Sequence, residues 1–348
     1  MKTRFSLISS LALVLLLLCA FSPSAKALIS INYDTNGDWD TATNWDGGVL
    51  PWENAAGDTV VDTSLDGGSD MTVNTTETFS GTQFGSSEGD PFMFRRANAG
   101  GGSTILIESG GIFDFSGGND SRITAVSTGS QLTMTGGVLR STRSNLGGLN
   151  LGGNHAEIAF SGTSSVSIFE AGATDSGITV NNSGATSGPI HMVGSNVDMN
   201  LEALTIKGTS DAKIKFTMDN GGASEFNLSD DFDLTLDTAT IELQLYLADS
   251  SIDPGATITL FDLTNGSTGV FDSVTTSVGT YSGAEGTTIS IASAAEPGIF
   301  LDYKLTYLLA GNNLGLQVVP EPGTFGLLGL AGMLGLAARR RRSPGRTI

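Results

Sequence analysis

From Thr104 onward, short runs of alternating apolar and polar residues recur with glycine between them, and this pattern limits the folds open to the chain more than any other feature. Ile105-Leu106-Ile107 is followed by Gly110-Gly111 and Ile112-Phe113-Asp114-Phe115, and Leu132-Thr133-Met134 by Gly136-Gly137 and Val138-Leu139-Arg140. Further copies start near Ile158, Ile190 and Ile214, so that successive starts lie 27, 26, 32 and 24 residues apart. Such a period marks a repeat architecture, because one unit is too small to bury its own apolar face and must stack on its neighbours. Within a unit the alternation has period two: Ala212, Ile214, Phe216 and Met218 fall on one side of a strand, and Lys213, Lys215 and Thr217 on the other. Forty-seven glycines among abundant Ser, Thr, Asn and Asp disfavour helices and favour strands joined by tight turns.

The expected fold is all-β: a right-handed parallel β-helix or solenoid over residues 104–236, with a β-sandwich as the alternative. Residues 28–103 are expected to form an amino-terminal cap containing all three tryptophans, Trp39, Trp45 and Trp52. Buried, these rings would plug the first coil; exposed, they would be candidate stacking platforms for sugar rings. After about Asp237 the strands lengthen and become more apolar, and Asp-Pro-Gly, Asn-Gly and Gly-Asn-Asn turns suggest antiparallel connections. Residues 237–319 are therefore expected to form a carboxy-terminal cap, since an open strand edge invites end-to-end association.

Both termini carry signals. Lys2 and Arg4 precede the apolar block from Leu11 to Leu18, and Ala25-Lys26-Ala27 offers the small residues that signal peptidase accepts, so residues 1–27 read as a signal peptide cut before Leu28. Cys19 does not suit a lipoprotein signal, because Leu18 stands where a small residue is required, and after the cut the chain has no cysteine. At the other end, Pro320-Glu321-Pro322 is followed by an uncharged segment and by Arg339, Arg340, Arg341 and Arg342. Residues 324–338 would span about 22 Å as a helix at 1.5 Å per residue, a thin single transmembrane segment whose arginines stay on the cytoplasmic side. Gly326, Gly329, Gly332 and Gly335 would let another helix approach one face of it closely.

The order Val319-Pro320-Glu321-Pro322-Gly323, glycine-rich apolar run and arginine cluster resembles the PEP-CTERM sorting signal of Gram-negative bacteria. The resemblance covers residues 319–342, and residues 343–348 extend past it. It implies exosortase as a partner, transient residence in the inner membrane, and delivery to the cell surface or extracellular matrix, often in connection with exopolysaccharide and biofilm. Pro320, Glu321 and Pro322 are then substrate residues of another enzyme. More loosely, the run from Ala256 through Gly269-Val270-Phe271-Asp272 to Gly311-Asn312-Asn313 and Val318 resembles the closing segment of autotransporter-like passengers.

The whole chain has 17 basic and 36 acidic residues. Setting aside three basic residues in the leader, and five Arg and Glu321 in the tail, residues 28–319 hold 9 basic and 35 acidic residues, a net charge of −26. Nucleic acid and anionic lipid are poor partners for such a surface. Asp34-Thr35-Asn36-Gly37-Asp38 begins like a calcium loop, but Trp39 and Trp45 stand where glycine and a bidentate Glu belong, and Asp230, Asp231, Asp233 and Asp237 read as a polar loop; no cofactor is expected beyond this weak Ca²⁺ candidate. His155 and His191 have no second ligand at metal spacing, and Arg95, Arg96, Arg140 and Arg143 are candidate grips for uronate carboxylates. No nucleophile or phosphate-loop motif is present, so no catalytic residue is assigned. The expected function is that of a structural or adhesive matrix protein without enzymatic activity. A polysaccharide lyase, a glycoside hydrolase and non-catalytic sugar binding are the alternatives.

Overall fold

A computed structural model describes residues 28–319 except the segments 31–32, 34–35, 51–58, 66–69, 81–92, 97–103, 118–122, 125–130, 142–148, 153–156, 169–176, 183–187, 209–211, 231, 235–239, 249–256, 266, 295–297 and 310–312. The leader with Ala25 and Ala27, Trp52, Arg143, His155 and the tail with Pro320, Glu321, Pro322 and Arg339 to Arg342 lie outside the described residues. Among those described, no helix is long and apolar enough to cross a membrane.

The chain coils into a parallel β-solenoid whose coils stack strand on strand. On a first face, strands Asp70–Val73, Thr104–Ile107, Gln131–Met134, Ile158–Phe160, Ile190–Val193, Ala212–Met218, Ile241–Leu247 and Ser273–Thr276 pair in parallel, each with its equivalent in the next coil. A second face stacks Thr76–Ser80, Ile112–Gly117, Val138–Ser141, Ser165–Ile168, Asp198–Leu201, Glu225–Leu228 and Thr257–Leu263 in the same way. A third, shorter face stacks Ile123–Thr124, Leu149–Gly152, Gly177–Asn182 and Ala203–Gly208. Parallel pairing between successive coils rules out the antiparallel sandwich.

The repeat starts seen in the sequence are the register partners of the ladder. Ile105 pairs with Leu132, Leu132 with Ile158, Ile158 with Ile190, and Ile190 with Ile214. With Met71 below and Leu243 and Val274 above they form one buried column, and Val73, Ile107, Met134, Phe160, Met192, Phe216 and Leu245 form a second beside it. Burying one such side chain is worth about 1.5–3 kcal/mol, so the core is a row of equal small contributions along the axis.

The glycine pairs do not close hairpins. The strands before and after Gly110-Gly111 lie on different faces, and the chain turns a corner there, directly above the corner of the coil below. A Cβ on Gly111 would lie 2.1 Å from the Val73 carbonyl oxygen, so glycine is what lets the two backbones stack.

Parallel pairing runs past both expected boundaries of the solenoid. It begins with Leu28–Ser30 beside Thr59–Leu65, which pairs in turn with Met93–Arg96, takes in Gly37 beside Met71, and reaches Val274 beside Leu243, so residues 104–236 are only its middle. The change of texture after Asp237 marks longer strands in the same ladder: Ile241–Leu247 matches Ala212–Met218 residue for residue. The antiparallel part begins later. Asn313–Val318 lies antiparallel to Thr257–Leu263, Phe300–Leu309 and Thr288–Ala292 follow it outward, and Thr280–Ser282 folds back on Ser273–Thr276. Of the expected turns, Asp253-Pro254-Gly255, Gly266, Gly311 and Asn312 lie outside the described residues; the strands flanking residues 310–312, Phe300–Leu309 and Asn313–Val318, are antiparallel, whereas Ser267–Thr268 is parallel to Phe232–Asp233.

Candidate functional site

Trp39 and Trp45 are buried, with 0% and 2% of their surface exposed, which leaves no ring face for a sugar and corrects the stacking-platform reading of these two residues. The Trp39 indole N–H donates to Thr75 Oγ1 at 3.1 Å, and that of Trp45 to the Trp39 carbonyl at 2.6 Å. Tyr33 meets Trp45 edge-on at 5.2 Å between ring centres, and its hydroxyl donates to the Gly37 carbonyl. The acidic residues beside them are occupied by the neighbouring coil: Asp38 accepts from Asn74 Nδ2 at 2.9 Å, and Asp40 from Thr75 Oγ1 at 3.1 Å. Among the described residues no three metal-binding side chains gather.

His191, read as isolated in the sequence, stands at the centre of a polar cluster on the outer side of the first face. Its Nδ1 lies 2.5 Å from Glu157 Oε1 and its Nε2 lies 2.8 Å from Thr217 Oγ1. Lys215 Nζ reaches the same Glu157 oxygen at 3.3 Å and lies 5.4 Å from the centre of the Tyr246 ring. Burial, and then the Lys215 ammonium, hold the His191 pKa below the ordinary histidine value against the opposing pull of Glu157. A neutral imidazole with Nδ1–H directed at the carboxylate leaves the Nε2 lone pair to accept from the Thr217 hydroxyl.

The cluster is assembled by register. His191 pairs with Lys215 and Val193 with Thr217, while Glu157 adjoins Ile158, the partner of Ile190. Aligning the repeat starts places Glu157 one residue before the start of its unit, His191 and Lys215 one residue after theirs, and Thr217 three residues after, and that alignment is the signal in the sequence that could have found them. Beside Lys215 and Thr217 lies a cleft of about 530 Å³, walled by Tyr246, Ala248, Ser277, Ala292 and Ala294, where the solenoid meets its antiparallel strands.

A second cleft, of about 520 Å³ and polar, lies between the first and second faces and includes Asn196, Asp198, Glu225, Asn227 and Thr259. Burial and the nearby Asp262 carboxylate push the Glu225 pKa up. Arg140 is exposed on the second face, in register with Asp114 below and Ser167 above, while Arg143 and the side chains of Arg95 and Arg96 lie outside the described residues.

The PEP-CTERM protein-sorting motif matches residues 318–342. Comparison with curated proteins and with solved structures returned no match. The chain is thus an exported protein with a β-solenoid passenger, carrying a sorting signal of the kind that exosortase recognises.

Proposed function

We propose that the passenger is a structural or adhesive component of the extracellular matrix, released to it from the membrane after its tail is processed. The observation that carries this reading is the outer side of the second face. There Ser167, Asn200, Asn227 and Asp262 occupy equivalent positions in successive coils, and Asn227 Nδ2 donates to Asn200 Oδ1 at 3.2 Å. Parallel strands repeat at about 4.8 Å, so the face offers hydroxyl, amide and carboxylate groups in a regular row, suited to many weak contacts along a hydroxyl-rich polymer. The net charge of residues 28–319 favours neutral glycans, or acidic ones bridged by cations.

Retention of the protein in native matrix is the test. Replacing Asn200 and Asn227 together with alanine should shift the protein from matrix to medium while its β-sheet spectrum is unchanged; equal retention of the variant would remove the proposal. Action on a polysaccharide is the second reading, supported by the two clefts. Incubating the protein with neutral and acidic polysaccharides tests it, because new reducing ends or unsaturated uronates would displace the purely structural role. The autotransporter-like character of the passenger rests on sequence texture alone.

A further inference from the structure

We propose that Glu157, His191 and Thr217 form a nucleophilic relay in which Thr217 accepts the acyl group of a short ester bound in the adjoining cleft. The geometry is that of an activated hydroxyl: nucleophile and base lie 2.8 Å apart, and the base is oriented through its other nitrogen by a carboxylate at 2.5 Å. A structural polar ladder would be satisfied by any hydrogen-bonding pair. Here Thr217 lines a cleft, while the His191 side chain, 12% exposed, has both ring nitrogens engaged by Glu157 and Thr217.

The cleft indicates the substrate class. Its walls include Ala248, Ala292, Ala294 and Ser277 with Tyr246, small side chains and one ring that suit a short acyl chain. Backbone donors at its rim are already used, since Ala248 N–H donates to Met218 and Ala294 N–H to Leu247. The positive charge that would face the oxyanion is therefore the Lys215 ammonium, which lines the same cleft.

In the first step Thr217 Oγ1 attacks the ester carbonyl carbon and its proton passes to His191 Nε2. The bond to the alcohol oxygen breaks, and the departing alkoxide takes that proton, leaving acyl-Thr217 and a neutral imidazole. Water then gives a proton to His191 Nε2 and attacks the acyl carbon. The carboxylic acid leaves, and the proton returns to Thr217. Thr217 and His191 are the catalytic residues, and Glu157 is a positioning residue that fixes the tautomer.

Incubation of the full chain with a fluorophosphonate, followed by peptide mapping, is expected to place the adduct on Thr217, and p-nitrophenyl acetate is expected to be turned over. Thr217→Val and His191→Gln should each lower turnover roughly 100-fold, Thr217→Ser should retain it, and Glu157→Gln should lower kcat with KM unchanged. No adduct on Thr217 of the unmutated protein, or equal turnover by a folded Thr217→Val variant, would overturn the proposal. If Thr217→Val does not fold, the labelling of the unmutated chain decides alone.

Discussion

At its amino-terminal end the first face is closed by the segment 36–50, which buries Trp39 and seats Trp45 against Tyr33, whereas at the other end the backbone itself reverses and the last strands pair antiparallel. The first closure concentrates its energy in Tyr33, Trp39 and Trp45, the last of them held between two turns of 3-10 helix, Ala42–Asn44 and Asp46–Gly48. The second spreads it along a ladder and continues the core without a break. Phe226 and Phe232 stack on Phe261 at 5.2 and 4.8 Å, and the row passes through Phe271 to Tyr307. A plug of few large groups fails by single substitutions, whereas a ladder is sensitive only where it buries a polar group.

The largest expected effect follows at the plug. Trp39→Ala removes a fully buried indole there and leaves Thr75 without its indole donor, at about 3–5 kcal/mol. Hydrogen exchange should then show lost protection over residues 37–50 and 70–73, with the strands of residues 300–318 unaffected. Uniform loss along the chain would mean that the two ends are one cooperative unit.

At the opposite end two tyrosines on one strand sharpen the contrast. The Tyr307 hydroxyl donates to the Gly283 carbonyl at 2.7 Å and accepts from the Phe271 N–H at 2.8 Å. Tyr307→Phe orphans both buried groups and should cost about 1–3 kcal/mol by chemical denaturation. Burial raises both phenol pKa values, that of Tyr303 to about 12. Below the ordinary tyrosine value of about 10, both phenols are protonated whether the chain is folded or not, and they contribute no pH dependence. Above it the unfolded chain releases its protons first, so stability should fall as pH rises from about 10, with the cap opening first in exchange measured across that range. Tyr303 has a smaller effect. It is fully buried, yet its hydroxyl has no partner among the described residues, so Tyr303→Phe should be neutral or stabilising by up to about 1 kcal/mol. A large loss would show that this hydroxyl has a partner after all.

The sequence carried the ladder more legibly than the cluster on it. Ile105, Leu132, Ile158, Ile190 and Ile214 could be aligned because each is an apolar residue with an apolar residue two positions later, and stacked coils bury such pairs in columns. The extent of the solenoid was harder to read, because Ile241–Leu247 differs from its neighbours in length and apolarity but not in pairing, and length alone does not distinguish a wider coil from a cap. Outward residues obey no such constraint. His191 has a carboxylate partner 34 positions earlier and a hydroxyl partner 26 positions later, separations visible only once the register is known. The tail was legible for another reason: a sorting motif is read by a receptor as local sequence, and its meaning does not depend on the fold.

Between the two ends the ladder has a weak point of its own, and it supplies the smallest prediction. Glu225 stands next to Asp198 in the preceding coil and feels the Asp262 carboxylate of the following one, and burial together with that charge raises its pKa. A carboxyl whose folded pKa exceeds its unfolded value is neutral in both states at low pH, and it loses stability for the fold as pH rises through that window. Glu225→Gln removes the charge and keeps the shape. The variant should match the unmutated protein in acid and exceed it slightly at neutral pH, by a difference that shrinks in high salt as the repulsion is screened. Thermal midpoints at two pH values and two salt concentrations measure this. A variant less stable at neutral pH would mean that the Glu225 carboxylate accepts hydrogen bonds in the cleft that outweigh the repulsion, and the row of acids along this face would then be a stabilising feature of the coil.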